Sequence, residues 1–143
     1  MGPKKIPSKY RYGTMLRMGN TIQVKIQTSP DKPGIFTVKP FGPIDSDTYL
    51  DFNEKTKPLL VASTKGIILD LVNVDYISSA GLGVLFTMKK FLKQVGNDLI
   101  FCNLKPQIVK LFEIVNALPK ETVFQSNEEA DTYLYKMIHK DDK

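Results

Sequence analysis

Ile22, Val24 and Ile26 alternate with polar residues along 21–28, and this two-residue period predicts a half-buried strand. Ser29-Pro30-Asp31-Lys32-Pro33-Gly34 is turn chemistry. A second strand is expected over 35–41, with one side unpaired near Pro40. After the loop 42–46 a helix begins near Asp45 or Ser46, either of which suits an N-cap. Tyr49, Phe52, Thr56, Leu59 and Leu60 share one face of it, and Pro58 predicts a kink or an end. The run 67–71 is a buried strand, and 79–95 is a helix with Leu82, Leu85, Phe86, Leu92 and Val95 on one stripe. Lys89, Lys90, Lys93 and Gln94 lie mostly off that stripe, and Gly96-Asn97 stops the helix. A strand over 99–102 follows. Pro106 then opens a short helix whose core face is Ile108, Leu111, Phe112 and Val115. A short strand is expected over 122–124. Ser126 and Glu129 form a capping box for a last helix with Ala130, Tyr133, Leu134, Met137 and Ile138 on its apolar face. Strands and helices alternate after two opening strands, with no internal repeat. The pattern predicts an α/β sheet of about five strands packed against helices.

Its 143 residues suit one domain, and 42% apolar content is enough to build a core. We place a basic, mostly flexible extension at 1–19 and the folded domain at 20–140. Lys4, Lys5, Lys9, Arg11 and Arg17 lie in the first 20 residues, which hold no acid; the other 15 basic residues balance the 15 acidic ones. The +5 net charge therefore belongs to the arm, and the domain is not a basic nucleic-acid module. Within the arm, Tyr10, Tyr12, Met15, Leu16 and Met18 are apolar enough for part of it to pack on the domain. No apolar run approaches the roughly 20 residues that span a bilayer, and the N-terminus lacks a signal-peptide core. A cytoplasmic protein is expected. The single cysteine, Cys102, sits in the run Leu99-Ile100-Phe101-Cys102 and reads as a buried, reduced thiol.

Catalytic chemistry finds little support. The one histidine, His139, lies in the C-terminal tail, which leaves neither an ordinary zinc ligand set nor a histidine base inside the fold. Around Ser79 a nucleophile elbow fails because Ile77 occupies the first glycine position. A dinucleotide fingerprint fails because Phe86 stands at the third glycine position after Gly81 and Gly83. Asp45, Asp47, Asp70 and Asp75 read as turn and capping residues. No catalytic residue, metal ligand or cofactor site is predicted.

The junction at Ser78-Ser79-Ala80-Gly81-Leu82-Gly83 is the candidate site. Ser79, held at this strand-to-helix junction, has its hydroxyl beside the unpaired N–H groups of a helix start, where a phosphate is also favoured, and this makes it a candidate switch residue. Serine is equally a common cap there. Gly81 and Gly83 keep the neighbouring surface low, which suits close approach by another protein.

The segment DLVNVDYISSAGLGVL resembles the central motif of the STAS domain, as found in bacterial anti-sigma factor antagonists. Phe41-Gly42-Pro43-Ile44-Asp45 is similar to the family's second-strand exit, and 110–115 and 125–130 match its later helices, so the resemblance covers roughly 21–138. It implies a single α/β domain with a four- to five-stranded mixed sheet and about four helices mainly on one face. It also implies a partner, an anti-sigma factor with serine kinase activity, whose capture releases a sigma factor. The kinase phosphorylates a serine at the start of the central helix, here Ser79, and a PP2C-type phosphatase resets it. Asp45, Ser78, Ala80, Gly81, Leu82 and Gly83 would form the docking surface. The kinase brings ATP and magnesium, and this chain needs no cofactor of its own. A monomer or weak dimer is expected. Phosphorylated members usually carry Asp before the switch serine and Ser or Thr after it, where Ser78 and Ala80 stand here. The alternative is a STAS scaffold subunit of a signalling or transport assembly that is never phosphorylated. A lesser reading is binding of a nucleotide or lipid, as in some related domains.

Overall fold

A computed structural model describes residues 20–114 and the backbone of 123–124. The expected extension 1–19, the capping box at Ser126, the last helix, Val115 and His139 lie outside the described residues. The element order is β1 (Gln23–Ser29), β2 (Lys32–Phe41), α1 (Tyr49–Thr56), a 3-10 turn (Lys57–Leu59), β3 (Gly66–Asp70), α2 (Ser79–Gln94), β4 (Asp98–Cys102), α3 (Pro106–Ile114) and β5 (Val123–Phe124). The strands form one sheet in the order β1-β2-β3-β4-β5. β1 is antiparallel to β2, and the pairs β2–β3, β3–β4 and β4–β5 are parallel. Parallel neighbours in sequential order need crossovers of one hand that all step the same way. Their helices therefore pack on one face of the sheet.

The core lies between that face and the helices. The sheet gives Val38, Leu69, Leu99 and Phe101, α1 gives Phe52, α2 gives Leu85, Met88 and Leu92, and α3 gives Phe112. The Phe112 ring packs edge-on to Phe101 at 5.1 Å and to Phe86 at 6.2 Å, the favourable aromatic geometry. Cys102 is buried, as expected. No helix among the described residues is long and apolar enough to cross a membrane.

Several local expectations change. β2 begins at Lys32, because a register shift at Thr28/Ser29 absorbs Pro33 and Gly34 into the strand. The parallel ladder to β3 ends at Val38, short of Pro40. On β1 only part of the alternation is buried: Ile22 is inside, Val24 is partly so, and Ile26 is exposed, because β1 is the sheet's outer edge. Pro58 does end α1, and the chain continues as the 3-10 turn. On α2 the stripe omitted Met88 and Val84, which are buried, and included Val95, which caps the helix and is exposed. Gly96 stops the helix at a φ of +82°. Its N–H reaches the Lys93 carbonyl at 3.1 Å, and the Asn97 N–H reaches that of Leu92 at 2.8 Å, a Schellman closure.

A buried charge fixes α2 against the sheet. Asp98 opens β4, and its Oδ1 accepts from Lys89 Nζ at 2.9 Å. Lys89 also donates to the Leu99 carbonyl at 2.8 Å. Lys93 Nζ lies 3.2 Å from Oδ2, an ion contact without hydrogen-bond geometry.

Candidate functional site

The β3–α2 loop carries the candidate serine, and main-chain bonds hold it against the β2 exit. At its start Asp70 Oδ1 accepts from the Val72 N–H and from Asn103 Nδ2, both at 3.1 Å. Asn103 sits at a φ of +57°, a region that asparagine tolerates. The Gly42 N–H donates to the Asn73 carbonyl at 3.0 Å, and the Ile44 N–H to that of Tyr76 at 3.0 Å. The Ser78 N–H then donates to the Ile44 carbonyl at 2.9 Å, and Ile44 and Ile77 form a parallel bridge. Ile44 is thus the rail on which the loop runs. Lys105, just ahead of α3, forms an ion pair with the exposed Asp75.

This rail explains Gly81. A β-carbon there would lie 2.2 Å from the Ile44 carbonyl oxygen. Only glycine lets α2 start this close to that carbonyl. At Gly83 a β-carbon meets nothing within 4 Å.

The two serines divide their roles. Ser78 is the N-cap of α2: its Oγ accepts from the Gly81 N–H at 3.2 Å, and its carbonyl accepts from the Leu82 N–H at 2.8 Å. Ser79 is the first helical residue and is exposed. Its hydroxyl takes no partner among the described residues. The amides of Ser79 and Ala80 likewise face the helix end without a partner there. The capping half of the sequence argument thus applies to Ser78, and the exposed hydroxyl belongs to Ser79.

Asp45 sits beside this junction because the residue before it is bonded to Ser78. Its Oδ1 accepts from the N–H groups of Asp47 at 2.9 Å and Thr48 at 3.2 Å, while Thr48 Oγ1 accepts from the Asp45 N–H at 3.0 Å. This reciprocal pair shapes the turn into α1, whose N-cap is Thr48. Ser46, the other proposed cap, is exposed in that turn.

Of the expected docking residues, Gly81 and Leu82 are corrected. Both are buried, Leu82 in the core and Gly81 against Ile44, so they set the height of the surface from beneath. Asp45, Ser78 and Ala80 are half-buried, and Gly83 is exposed. Beside Ser79 lies a groove of about 330 Å³ between the helices, lined by Tyr49, Leu50 and Asn53 of α1 and by Ala80, Gly83 and Thr87 of α2. The missing β-carbon of Gly83 helps keep it open. The residue pattern missed two exposed apolar side chains here, Leu50 at 51% and Tyr76 at 56% exposure. Tyr76 was detectable as an aromatic inside an otherwise polar turn. Leu50 was detectable as a leucine off the α1 stripe. Among the described residues no cluster of three or more His, Cys, Asp or Glu offers a metal site.

Comparison with known proteins points the same way. The family model described as the STAS domain matches residues 27–130. BtrV of Bordetella bronchiseptica, a candidate anti-sigma factor antagonist, is 45% identical over 64 residues, which are 45% of this chain and 55% of that protein. This chain therefore spans about half the length of that relative. An anti-sigma-B factor antagonist of Staphylococcus aureus is 33% identical over 87 residues, 61% of this chain and 79% of that protein. The solved structure of the Bacillus cell fate determinant SpoIIAA in its phosphorylated form aligns with a TM-score of 0.63 at 17% identity, over 78% of this chain and 99% of that one. That likeness is one of fold.

Proposed function

This chain belongs to the STAS domain family, and from that premise we propose that it is a cytoplasmic anti-sigma factor antagonist switched by phosphorylation of Ser79. Its partner is an anti-sigma factor with serine kinase activity, and its reset requires a PP2C-type phosphatase. The domain works by binding, not by catalysis. The observation that carries this reading is the division of labour at the head of α2. Ser78 caps the helix, so Ser79 is free to be modified without loss of the cap.

A phosphate there adds about −1.5 to −2 charges. The helix start accommodates it, since the Ser79 and Ala80 amides and the helix dipole favour an anion. The domain thus keeps its fold while the docking face changes. A partner seated over Ser79, Tyr76 and the groove would have to desolvate that charge. The departures at Ser78 and Ala80 fit the same picture. Serine and aspartate cap a helix about equally well, so Ser78 preserves the junction and removes only a charge.

That missing charge is also the one observation favouring the second reading, an unphosphorylated scaffold. Titration of the cognate kinase-type anti-sigma factor decides between them. Ser79→Ala is expected to bind like the wild type and Ser79→Asp at least tenfold more weakly, about 1.4 kcal/mol. Equal binding of wild type and Ser79→Asp would sink the switch. Site mapping by mass spectrometry on protein from native cells should find phosphate on Ser79. Stable partners with Ser79 unmodified across growth conditions would support the scaffold.

A further inference from the structure

β1 leaves one edge of the sheet open. It pairs with β2 and with no other strand among the described residues. Gln23, Lys25, Ile26, Gln27 and Thr28 along it are exposed. Pro40 sets the phase of this edge. It stands opposite Val24 and has no N–H to give, so the two form a non-hydrogen-bonded pair. Bonding alternates along an antiparallel ladder. Gln23, Lys25 and Gln27 therefore bond to β2, while Val24, Ile26 and Thr28 turn their N–H and carbonyl groups outward. Side chains alternate as well. Ile26 lies opposite Val38 of the core and so stands on the helix-packed face, yet 39% of it is exposed. Lys25 and Gln27 stand on the other face. We propose that this edge is the contact between two copies of the chain, with β1 pairing antiparallel to β1 about a two-fold axis at Ile26.

An open edge is a template for another strand, and this one is lightly guarded. β1 holds no proline, its one charge is Lys25, and its register shift falls at its end, at Thr28/Ser29. Outward groups must meet outward groups, so few registers are open to self-pairing. Centring on Lys25 would set two lysines face to face, which is unfavourable. Centring on Gln27 would use only the end of β1 and would cross the register shift. Centring on Ile26 uses the whole strand, Gln23–Ser29. It pairs Val24 with Thr28, Ile26 with Ile26, and Lys25 with the uncharged Gln27. Charge and apolar contact thus select the same register, and the strand is complementary to itself. One edge strand is a small contact, so the dimer belongs with weak interfaces below about 1,200 Å². β3 runs antiparallel to β1, so the β3 strands of the two copies also run in opposite directions. Their Ser79 faces point to opposite ends of one continuous sheet, and both stay open. That capacity for two partners rests on the proposed function, but the pairing itself does not.

The test is sedimentation velocity of the full chain over a dilution series. The weight-average coefficient is expected to rise with concentration toward that of a dimer. Ile26→Lys, at an exposed position, sets two like charges at the axis and should hold the chain monomeric with its circular dichroism unchanged. Thr28→Pro removes an outward N–H and no bond to β2, and should weaken the dimer by a second route. Gln27→Glu sets a carboxylate opposite Lys25 on both sides of the axis and should tighten the dimer at least about threefold. Ser79→Asp should leave it unchanged. A chain that stays monomeric at every concentration would overturn the proposal. So would a dimer that survives Ile26→Lys, one that Gln27→Glu fails to tighten, or one that Ser79→Asp dissociates, since each puts the contact elsewhere. A monomer whose Ser79→Asp variant still loses its anti-sigma factor would leave the proposed function standing. A dimer through β1 without any Ser79 effect on that binding would do the reverse.

Discussion

Two glycines two residues apart in α2 should respond to alanine with opposite signs. At Gly81 the new β-carbon would stand 2.2 Å from the Ile44 carbonyl oxygen and 3.0 Å from Ile44 Cγ2. An ordinary contact is about 3.5 Å, so helix and rail would part by more than about 1 Å. The Ser78 N–H to Ile44 carbonyl bond, now 2.9 Å, does not survive that displacement. Overpacking costs about 1–3 kcal/mol, and the lost bond about 1 kcal/mol more. Better helix propensity returns at most about 1 kcal/mol. Gly81→Ala should therefore destabilise the domain by about 2 kcal/mol. At Gly83 the added methyl meets nothing within 4 Å, and only the propensity gain remains, about 0.8–1 kcal/mol of stabilisation. Urea denaturation followed by circular dichroism should show the midpoint falling for the first variant and rising for the second, with m unchanged. A Gly81→Ala protein as stable as Gly83→Ala would refute the close approach of α2 to Ile44.

The cap and the buried charge give four further expectations, each checked by the same denaturation. Ser78→Ala removes the N-cap and should cost about 1 kcal/mol, while Ser78→Asp should match or slightly exceed wild type because a carboxylate complements the helix N-terminus. Loss of stability in Ser78→Asp comparable to Ser78→Ala would contradict the capping geometry. Lys89→Met leaves the buried Asp98 with the Leu99 N–H but without its hydrogen-bonded lysine and should cost about 3 kcal/mol. Lys93→Met should cost less than about 1 kcal/mol, since Lys93 is 55% exposed. Similar losses from the two lysines would argue against the unequal pairing seen at Asp98.

The order of strands and helices, the stop at Gly96, the end of α1 at Pro58 and the serine junction were legible as pattern. Each rests on local rules: period, backbone freedom and the missing proline donor. Its place at the strand-to-helix junction marked Ser79 as a candidate switch, and the family resemblance, aligned on Gly81-Leu82-Gly83, pointed to the same serine. The pattern misplaced Val95 and Ile26, since an apolar residue at a helix end or on an outer strand finds nothing to pack against. It also passed over Met88, whose burial follows from where α2 lies on the sheet.

By itself, then, the sequence determined which segments are strands or helices and where a helix begins beside two serines. It also holds one histidine, His139, and one cysteine, Cys102, too few for an ordinary zinc ligand set or an internal disulfide. Only the tertiary structure decided what that junction is. Ile44 and Ser78 are far apart in the chain, and their hydrogen bond exists only once β2 and β3 are paired. That pairing places a backbone carbonyl against Gly81, turns Gly81 and Leu82 inward, gives the cap to Ser78, and leaves Ser79 exposed at the mouth of a groove. Local preference follows from a residue and its near neighbours, whereas which face of a residue meets water depends on the segments that fold against it.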